Sequence, residues 1–392
     1  MNVLLVAHSF APEQNGVARI ATLLAENLVE RGCSVTVATQ FSPCRKSNNW
    51  KGIKIKEFKI TGNAITGIRG QVDSYQHFIH NNDFDIQHHH GCQIWGFDLL
   101  TNWFAARPRP VIVTPHGFST LNNPDWKQYF ENFKAAAQHI DALSTLSENS
   151  EENQFLKSTQ TEVFAPIGLS HSEGFSNPLI SIISNGILLD EFQKRGNDLR
   201  QKWKIDNRFW LLNVSNHVQT KGHRTLRSLA KSLPEMIVTN IGNPVLVERF
   251  GLGKIGLKSP CYYECLANNV LTNNYLIKQT NRQTLIDAYQ QADMFVMPSE
   301  VEAAPLVILE AMSAGLPWVS FDVGNVAELC GGIVVKNEVQ MREAIIELQK
   351  SPALRQRLST EGQAQVIDHY DWKQVAEQYW QLYQSVIRDF AN

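Results

Sequence analysis

At 392 residues the chain is long for a single core, and two domains of roughly 200 residues each are expected. With 43% hydrophobic and 19% charged residues and a formal net charge of -2, the composition is that of an ordinary globular protein, and it offers no electrostatic case for a nucleic-acid partner. Cys33, Cys44, Cys92, Cys261, Cys265 and Cys330 form no CxxC pair, which fits a reducing cytoplasm. The opening MNVLLVAHSF lacks the basic lead of a signal peptide, and no apolar run approaches the roughly eighteen residues of a membrane span. A cytoplasmic location is expected, with peripheral contact at the inner face of a membrane left open.

Val3–Ala7 reads as a buried strand, His8–Gly16 as a loop, and Val17–Arg31 as a helix stopped by Gly32. Ser34–Thr39 completes a βαβ unit, which implies a parallel sheet. Lys51–Ile60 alternates lysine with apolar residues, as a half-exposed strand does. Asp83–Gly91 is a buried strand whose carboxyl edge is polar. Asp83 and Asp85 precede it, at the edge away from the ligand in an open parallel sheet, so no metal is expected there. His88–His90 alternate between the strand's two faces and cannot all converge on one ion. Val111–Thr114 ends at Pro115-His116-Gly117, where His116 can donate a hydrogen bond or shuttle a proton. Ile140–Ser147 is a strand with a helix opening at Glu148. Gln193–Arg208, charged and without apolar periodicity, reads as a linker before the strand Trp210–Val214.

Gly251-x-Gly253-x-x-Gly256 fits the dinucleotide fingerprint in its letters. It runs into Leu257-Lys258-Ser259-Pro260, read as unable to open a long helix, and Leu276 stands where an acidic residue is needed. A loop is therefore expected, and nicotinamide binding is not. Cys261 and Cys265 are read as lacking partners for zinc. Asn274–Lys278 is a short strand and Thr284–Gln291 a helix.

The stretch Ala292–Leu329 is the most informative. A buried strand, Met294–Met297, leads through a polar loop to a helix, Leu306–Ala314, with Pro305 at its first position and Gly315 at its left-handed stop. Such a helix N-terminus at a sheet's carboxyl edge is a ready anion site. Glu302 precedes it, and Glu310 lies about 7–8 Å along the helix from Pro305. Carboxylates are poor phosphate ligands and good acceptors for sugar hydroxyls, so Glu310 suits a ribose and Glu302 a second sugar. The last helix, Trp372–Phe390, carries Val375, Tyr379, Leu382, Tyr383 and Ile387 at helical spacing.

The segment E-A-A-P-L-V-I-L-E-A-M-S-A-G-L-P, from Glu302 to Pro317, resembles the donor-site motif of glycosyltransferase family 4. Those are retaining enzymes of the GT-B architecture, many of them in bacterial polysaccharide assembly. The loop P-E-Q-N-G-V around Gly16 resembles the family's glycine loop, with Asn15-Gly16 where Gly-Gly is frequent. His90-Gly91 with Trp95, Pro115-His116-Gly117, Ser147-Glu148, Asn185-Gly186 and Gly324-Asn325 with Glu328 resemble further family segments. Ser215–Gly222 is similar to a phosphate motif that usually reads Gly-Arg, four variable residues, Lys-Gly; Lys221 matches, while uncharged Asn216 replaces the arginine.

The resemblance implies an α/β GT-B fold, two Rossmann-like parallel-sheet domains facing a central cleft. Residues 1–195 would form the acceptor side, with helix 372–390 packing back on it, and 196–371 the donor side. It implies transfer of a hexose, glucose-type in the family's terms, from a nucleotide-sugar such as a UDP-sugar to a saccharide or lipid-linked saccharide, with retention and without a metal. His116, Lys221 and Glu302 would be catalytic. Gly16, Asn216, Lys221, Ile277, Ala304, Pro305, Leu306, Val307 and Glu310 would bind the donor. Two alternatives stand beside it: an epimerase or hydrolase of the same fold, and a non-catalytic nucleotide-sugar-binding protein.

Overall fold

The computed structural model describes residues 1–118, 120–157, 178–193, 196–248 and 254–391. They form two compact units, Met1–Gly186 with Lys373–Asn392, and Ile187–Trp372.

The first unit is built on a sheet whose strands lie in the order Leu179–Ile182, Ala142–Thr145, Val111–Thr114, Ile86–His90, Asn2–Ala7, Ser34–Gln40, Ile53–Phe58 and Asn49–Trp50. Every pairing is parallel except the last, an antiparallel edge. Near-continuous apolar runs such as Val3–Ala7 fill the centre because helices cover both faces of a parallel sheet. The helix Gly16–Glu30 starts where Asn15 Oδ1 accepts from the Ala18 N–H at 2.9 Å and from Ser9 Oγ at 3.0 Å. In Ile53–Phe58 the isoleucines point inward and Lys54 and Lys56 outward; Lys51 and Gly52 form a left-handed turn before it. The helix expected at Glu148 begins at Glu151. Asp85 lies ahead of its strand, where its Oδ2 accepts from the Asn2 N–H at 2.6 Å. The terminal helix Trp372–Ala391 joins this unit from Lys373 onward: Tyr383 Oη lies 2.7 Å from His88 Nδ1, and Arg31 pairs with Glu377 at 2.8 Å.

The second unit holds a wholly parallel sheet in the order Tyr275–Lys278, Ile237–Ile241, Trp210–Val214, Met294–Met297, Trp318–Phe321 and Gly332–Val335. Counted along the chain this is 3-2-1-4-5-6, the doubly wound order, and its switch point lies between Trp210–Val214 and Met294–Met297.

Several sequence-based expectations are corrected here. The boundary falls after Gly186, not at 195. The supposed linker is built into the second unit: Leu199 and Ile205 are fully buried, the Leu199 N–H donates to Gln291 Oε1 at 2.8 Å, and Arg200 pairs with Asp293 at 2.6 Å. Its charges misled because Arg200 and Arg208 are anchors, although Lys202, Lys204 and Asp206 are exposed. Gly251 and Gly253 lie outside the described residues, and their flanks, Leu246–Glu248 and Lys254–Lys258, are antiparallel strands, not a dinucleotide turn. Ser259-Pro260, however, does open a long helix, Pro260–Leu271. Proline at the first helical position needs no N–H, and Ser259 caps it through the Tyr262 N–H. Among the described residues no helix is long and apolar enough to cross a membrane.

Burial makes the first unit sensitive to acid. His88, His89 and His90 are fully buried, and burial pushes His89 down to about 3 from an ordinary 6.5, with His88 and His90 shifted the same way. The folded values lie below the unfolded one, so the unfolded chain takes up protons first. This stability is complete above about pH 6.5 and is lost as pH falls towards about 3. Thermal unfolding followed from pH 7 down to about pH 5 should show the first unit's midpoint dropping, because the three histidines outweigh the opposed carboxyls Asp98, raised by burial to about 6, and Glu152, raised the same way. A flat midpoint down to pH 5 would contradict neutral, buried histidines.

Candidate functional site

At the switch point of the second unit, two loops leave adjacent strands side by side. The first, Ser215–Gly222, follows Trp210–Val214; the second, Pro298–Pro305, follows Met294–Met297. They are tied by the Glu300 N–H donating to the Thr220 carbonyl at 2.8 Å. Gly222 has a φ of 69°, and a Cβ there would run into the Pro298 carbonyl oxygen, so only glycine allows this approach. Gly324 plays the same part from the next strand, against the Ala303 carbonyl, while the Asn325 N–H donates to that oxygen at 2.9 Å.

This closeness brings Lys221 Nζ to 2.6 Å from Glu302 Oε1, with both side chains largely shielded. Sequence placed the two in separate roles; the structure makes them an ion pair. The helix Leu306–Ser313 begins beside Glu302. Pro305 is its N-cap, with a φ of -73° and a ψ of 109°, and not its first residue as expected. Proline has no side-chain oxygen to cap with, so the N–H groups of Leu306 and Val307 gain no capping partner from it. That end of the helix presents positive partial charge next to Ala304 and the Lys221 ammonium.

Glu310 lies one and a half turns on and is buried. Its Oε1 is paired with Arg282, whose guanidinium also holds Glu191 at 2.7 Å. Sequence reasoning missed Arg282 and Glu191. No motif marks either, since Arg282 simply opens a helix capped by Asn281 and Glu191 sits in a short 3₁₀ turn.

Two expected donor contacts are already committed. Asn216 Oδ1 accepts from the Asn243 N–H at 3.0 Å, which leaves only its side-chain NH₂ for a ligand. The Ile277 N–H donates to Asn269 Oδ1 at 2.9 Å, so that amide is spent on the preceding helix, Pro260–Leu271. In the first unit, Gly16 stands exposed at the first position of its helix. His116 follows the strand Val111–Thr114 in the left-handed region, with a φ of 61°. Its Nε2 lies 3.1 Å from His90 Nδ1, and burial pushes it down to about 4, so it is neutral at pH 7. His89 points to the opposite face of its strand, against Phe97 and Phe104.

Cys261 and Cys265 do not lack partners, contrary to the sequence reading. His217 and His223, distant in sequence, are brought against them, and ligand atoms of all four lie within 4.8 Å of one another.

Residues 196–365 match the family described as Glycosyl transferases group 1, and residues 14–153 match Glycosyltransferase Family 4. An uncharacterised glycosyltransferase of Methanocaldococcus jannaschii is 22% identical over 98% of both chains. Among solved structures, a sucrose-phosphate synthase from Thermosynechococcus elongatus superposes with a TM-score of 0.79 at 16% identity, over 99% of each chain. Anabaena HepE in complex with UDP-glucose does so with a TM-score of 0.73 at 14% identity, over 98% of this chain and 100% of that one.

The close approach at residue 222 is testable. Gly222→Ala should destabilise the second unit by more than about 1 kcal/mol in denaturant unfolding, since a left-handed alanine is strained even before it meets Pro298. Unchanged stability would mean that the two loops are not packed this tightly.

Proposed function

This chain belongs to the family 4 glycosyltransferases of the GT-B fold, and we propose that it transfers a hexose from UDP-hexose to a saccharide or lipid-linked saccharide, with retention and without a catalytic metal. The observation that carries this reading is the Lys221–Glu302 pair, with Glu302 four residues ahead of the helix Leu306–Ser313, whose start has no side-chain cap. A lysine and a helix N-terminus together suit a diphosphate. A carboxylate beside them suits the hydroxyls of the sugar attached to it.

The resting ion pair supports a specific exchange. Lys221 turns from Glu302 to the diphosphate, and Glu302, relieved of its cation, accepts from the hexose hydroxyls. The bond between the anomeric carbon and the phosphate oxygen then breaks, leaving its electron pair on the diphosphate. Lys221 and the N–H groups of Leu306 and Val307 stabilise that charge. The acceptor oxygen attacks from the same face, and its proton passes to the departing phosphate oxygen. Glu310, with Oε1 held by Arg282, offers Oε2 to the ribose. The base is assigned to the segment at Ile277 and Lys278, through groups other than the Ile277 amide. Asn216 contributes its remaining NH₂, Gly16 keeps its expected part in donor binding, and His116 keeps its part in catalysis as a neutral hydrogen-bonding group. A UDP preference is supported by HepE, whose structure holds UDP-glucose. A cytoplasmic location fits a nucleotide-sugar donor.

The test is turnover of UDP-glucose with a panel of saccharide and lipid-linked acceptors, with magnesium and manganese omitted. Lys221→Ala and Glu302→Ala should each lower kcat/KM by about 100-fold or more while cooperative unfolding is kept. NMR of the product should show the donor's anomeric configuration. Full activity in both variants would sink the assignment, inversion would remove the same-face mechanism, and donor consumed without acceptor would make the enzyme a hydrolase or epimerase.

A further inference from the structure

Cys261 and Cys265 stand four residues apart on the helix Pro260–Leu271, so both sulfurs lie on one face. That face meets His217, in the loop before Lys221, and His223, at the first position of the next helix. The two imidazoles are stacked with centroids 4.7 Å apart. His217 and His223 are each 1% exposed, Cys265 is fully buried and Cys261 is half-buried.

Hydrogen bonding around these rings sets their tautomers. His223 Nε2 lies 3.0 Å from the Asn216 backbone carbonyl, to which it donates. Its Nδ1 therefore presents a lone pair, 3.8 Å from Cys265 Sγ. His217 Nδ1 is buried without a hydrogen-bond partner, while its Nε2 lies 3.2 Å from Asn240 Nδ2. Turning that amide over puts Oδ1 there as acceptor for the Nε2 proton and frees the Nδ1 lone pair, with Nδ2 then facing Ser215 Oγ. Cys265 Sγ also faces the Tyr275 hydroxyl at 3.3 Å and Arg227 Nη1 at 3.5 Å, two donors suited to a sulfur that carries negative charge. A backbone carbonyl behind His223, and the Asn240 amide oxygen behind His217 once that amide is turned over, are the outer partners that metal-bound histidines use. Burying the unpaired His217 Nδ1 beside two thiols is otherwise unfavourable.

We infer that His217, His223, Cys261 and Cys265 bind a structural zinc ion. One ligand atom from each lies within 4.8 Å of the others. A tetrahedral zinc, with Zn–S of about 2.3 Å and Zn–N of about 2.0–2.1 Å, holds its ligands about 3.3–3.8 Å apart, so small side-chain rotations close the site. Two thiolates and two imidazoles select zinc over magnesium, calcium or manganese. Binding forms two Zn–S and two Zn–N bonds and releases two thiol protons, with no change of oxidation state. The four protein ligands leave no open position for catalysis, so this ion is separate from the metal-free transfer chemistry.

His217 and His223 bracket Lys221. The zinc would therefore fasten the Lys221 loop to the helix Pro260–Leu271. This consequence rests on the donor role proposed for Lys221; the metal site itself does not.

The test uses the full-length protein, expressed with zinc supplied and purified without chelator. Elemental analysis should find about one zinc per chain, and cobalt exchanged into the site should give the visible spectrum of a tetrahedral thiolate complex. The double variant Cys261→Ser with Cys265→Ser should lose the zinc, whereas Cys44→Ser with Cys330→Ser, two exposed positions, should keep it. Should the first variant fail to fold, the wild type is stripped with a strong chelator and titrated with zinc, which should raise Tm to a plateau at one equivalent. Absence of zinc with no cobalt spectrum, or equal zinc in both double variants, overturns the proposal. UDP calorimetry on the stripped and reloaded protein separates the two readings. Weaker UDP binding after stripping supports the link to Lys221, and unchanged binding overturns that link. Zinc bound by a protein that binds no UDP in either state upholds the metal site and overturns the donor reading.

Discussion

The second unit depends on two parallel strands ending side by side where the winding of the sheet reverses. Trp210–Val214 and Met294–Met297 come from distant parts of the chain, yet their pairing sets the loops that follow them in contact. The Glu300 amide on the Thr220 carbonyl and the fit of Gly222 against Pro298 then fix the loops' relative height. Only with that height set can Lys221 reach Glu302 while both lie beside the start of the helix Leu306–Ser313. A parallel sheet of this order leaves a crevice at that point because no connection crosses it.

Charge is matched throughout this region before any ligand arrives. Lys221 is paired with Glu302, and Arg282 is shared between Glu310 and Glu191. A buried carboxylate left alone would be strongly unfavourable, which explains why Glu310 needs a cation that its own helix does not supply. The two pairs differ in what a donor could do to them. Lys221 and Glu302 sit in loops and can trade partners, whereas Arg282 is held by two carboxylates at once.

The loop Ser215–Gly222 carries more of the organisation than its short motif suggests. Asn216 holds Asn243 through its side chain and His223 through its carbonyl, and Ser259 Oγ donates to the His217 carbonyl at 2.6 Å. The loop is thus held on one side by the helix Pro260–Leu271 and on the other by Pro298–Pro305. In the first unit, His88, His90 and His116 form a comparable buried polar group, joined to the terminal helix through Tyr383.

Much of this was legible from local pattern alone. Apolar runs marked Val3–Ala7, Val111–Thr114 and Met294–Met297, alternation marked the lysine face of Ile53–Phe58, and Pro305 with Gly315 bracketed the helix Leu306–Ser313, because strand and helix signals are local properties of the chain. The charged anchors of Gln193–Arg208 and the cap at Ser259-Pro260 were misread, since the same letters serve a solvated linker or a buried brace. Which partners the functional side chains take was decided only by tertiary structure. Arg282 reaches Glu310, Asn243 occupies Asn216, Asn269 takes the Ile277 amide, and two histidines meet two cysteines some forty positions on. Except for Asn269 and Ile277, which lie on consecutive elements, each of these contacts joins residues that sequence spacing keeps apart and that the folded sheet brings together.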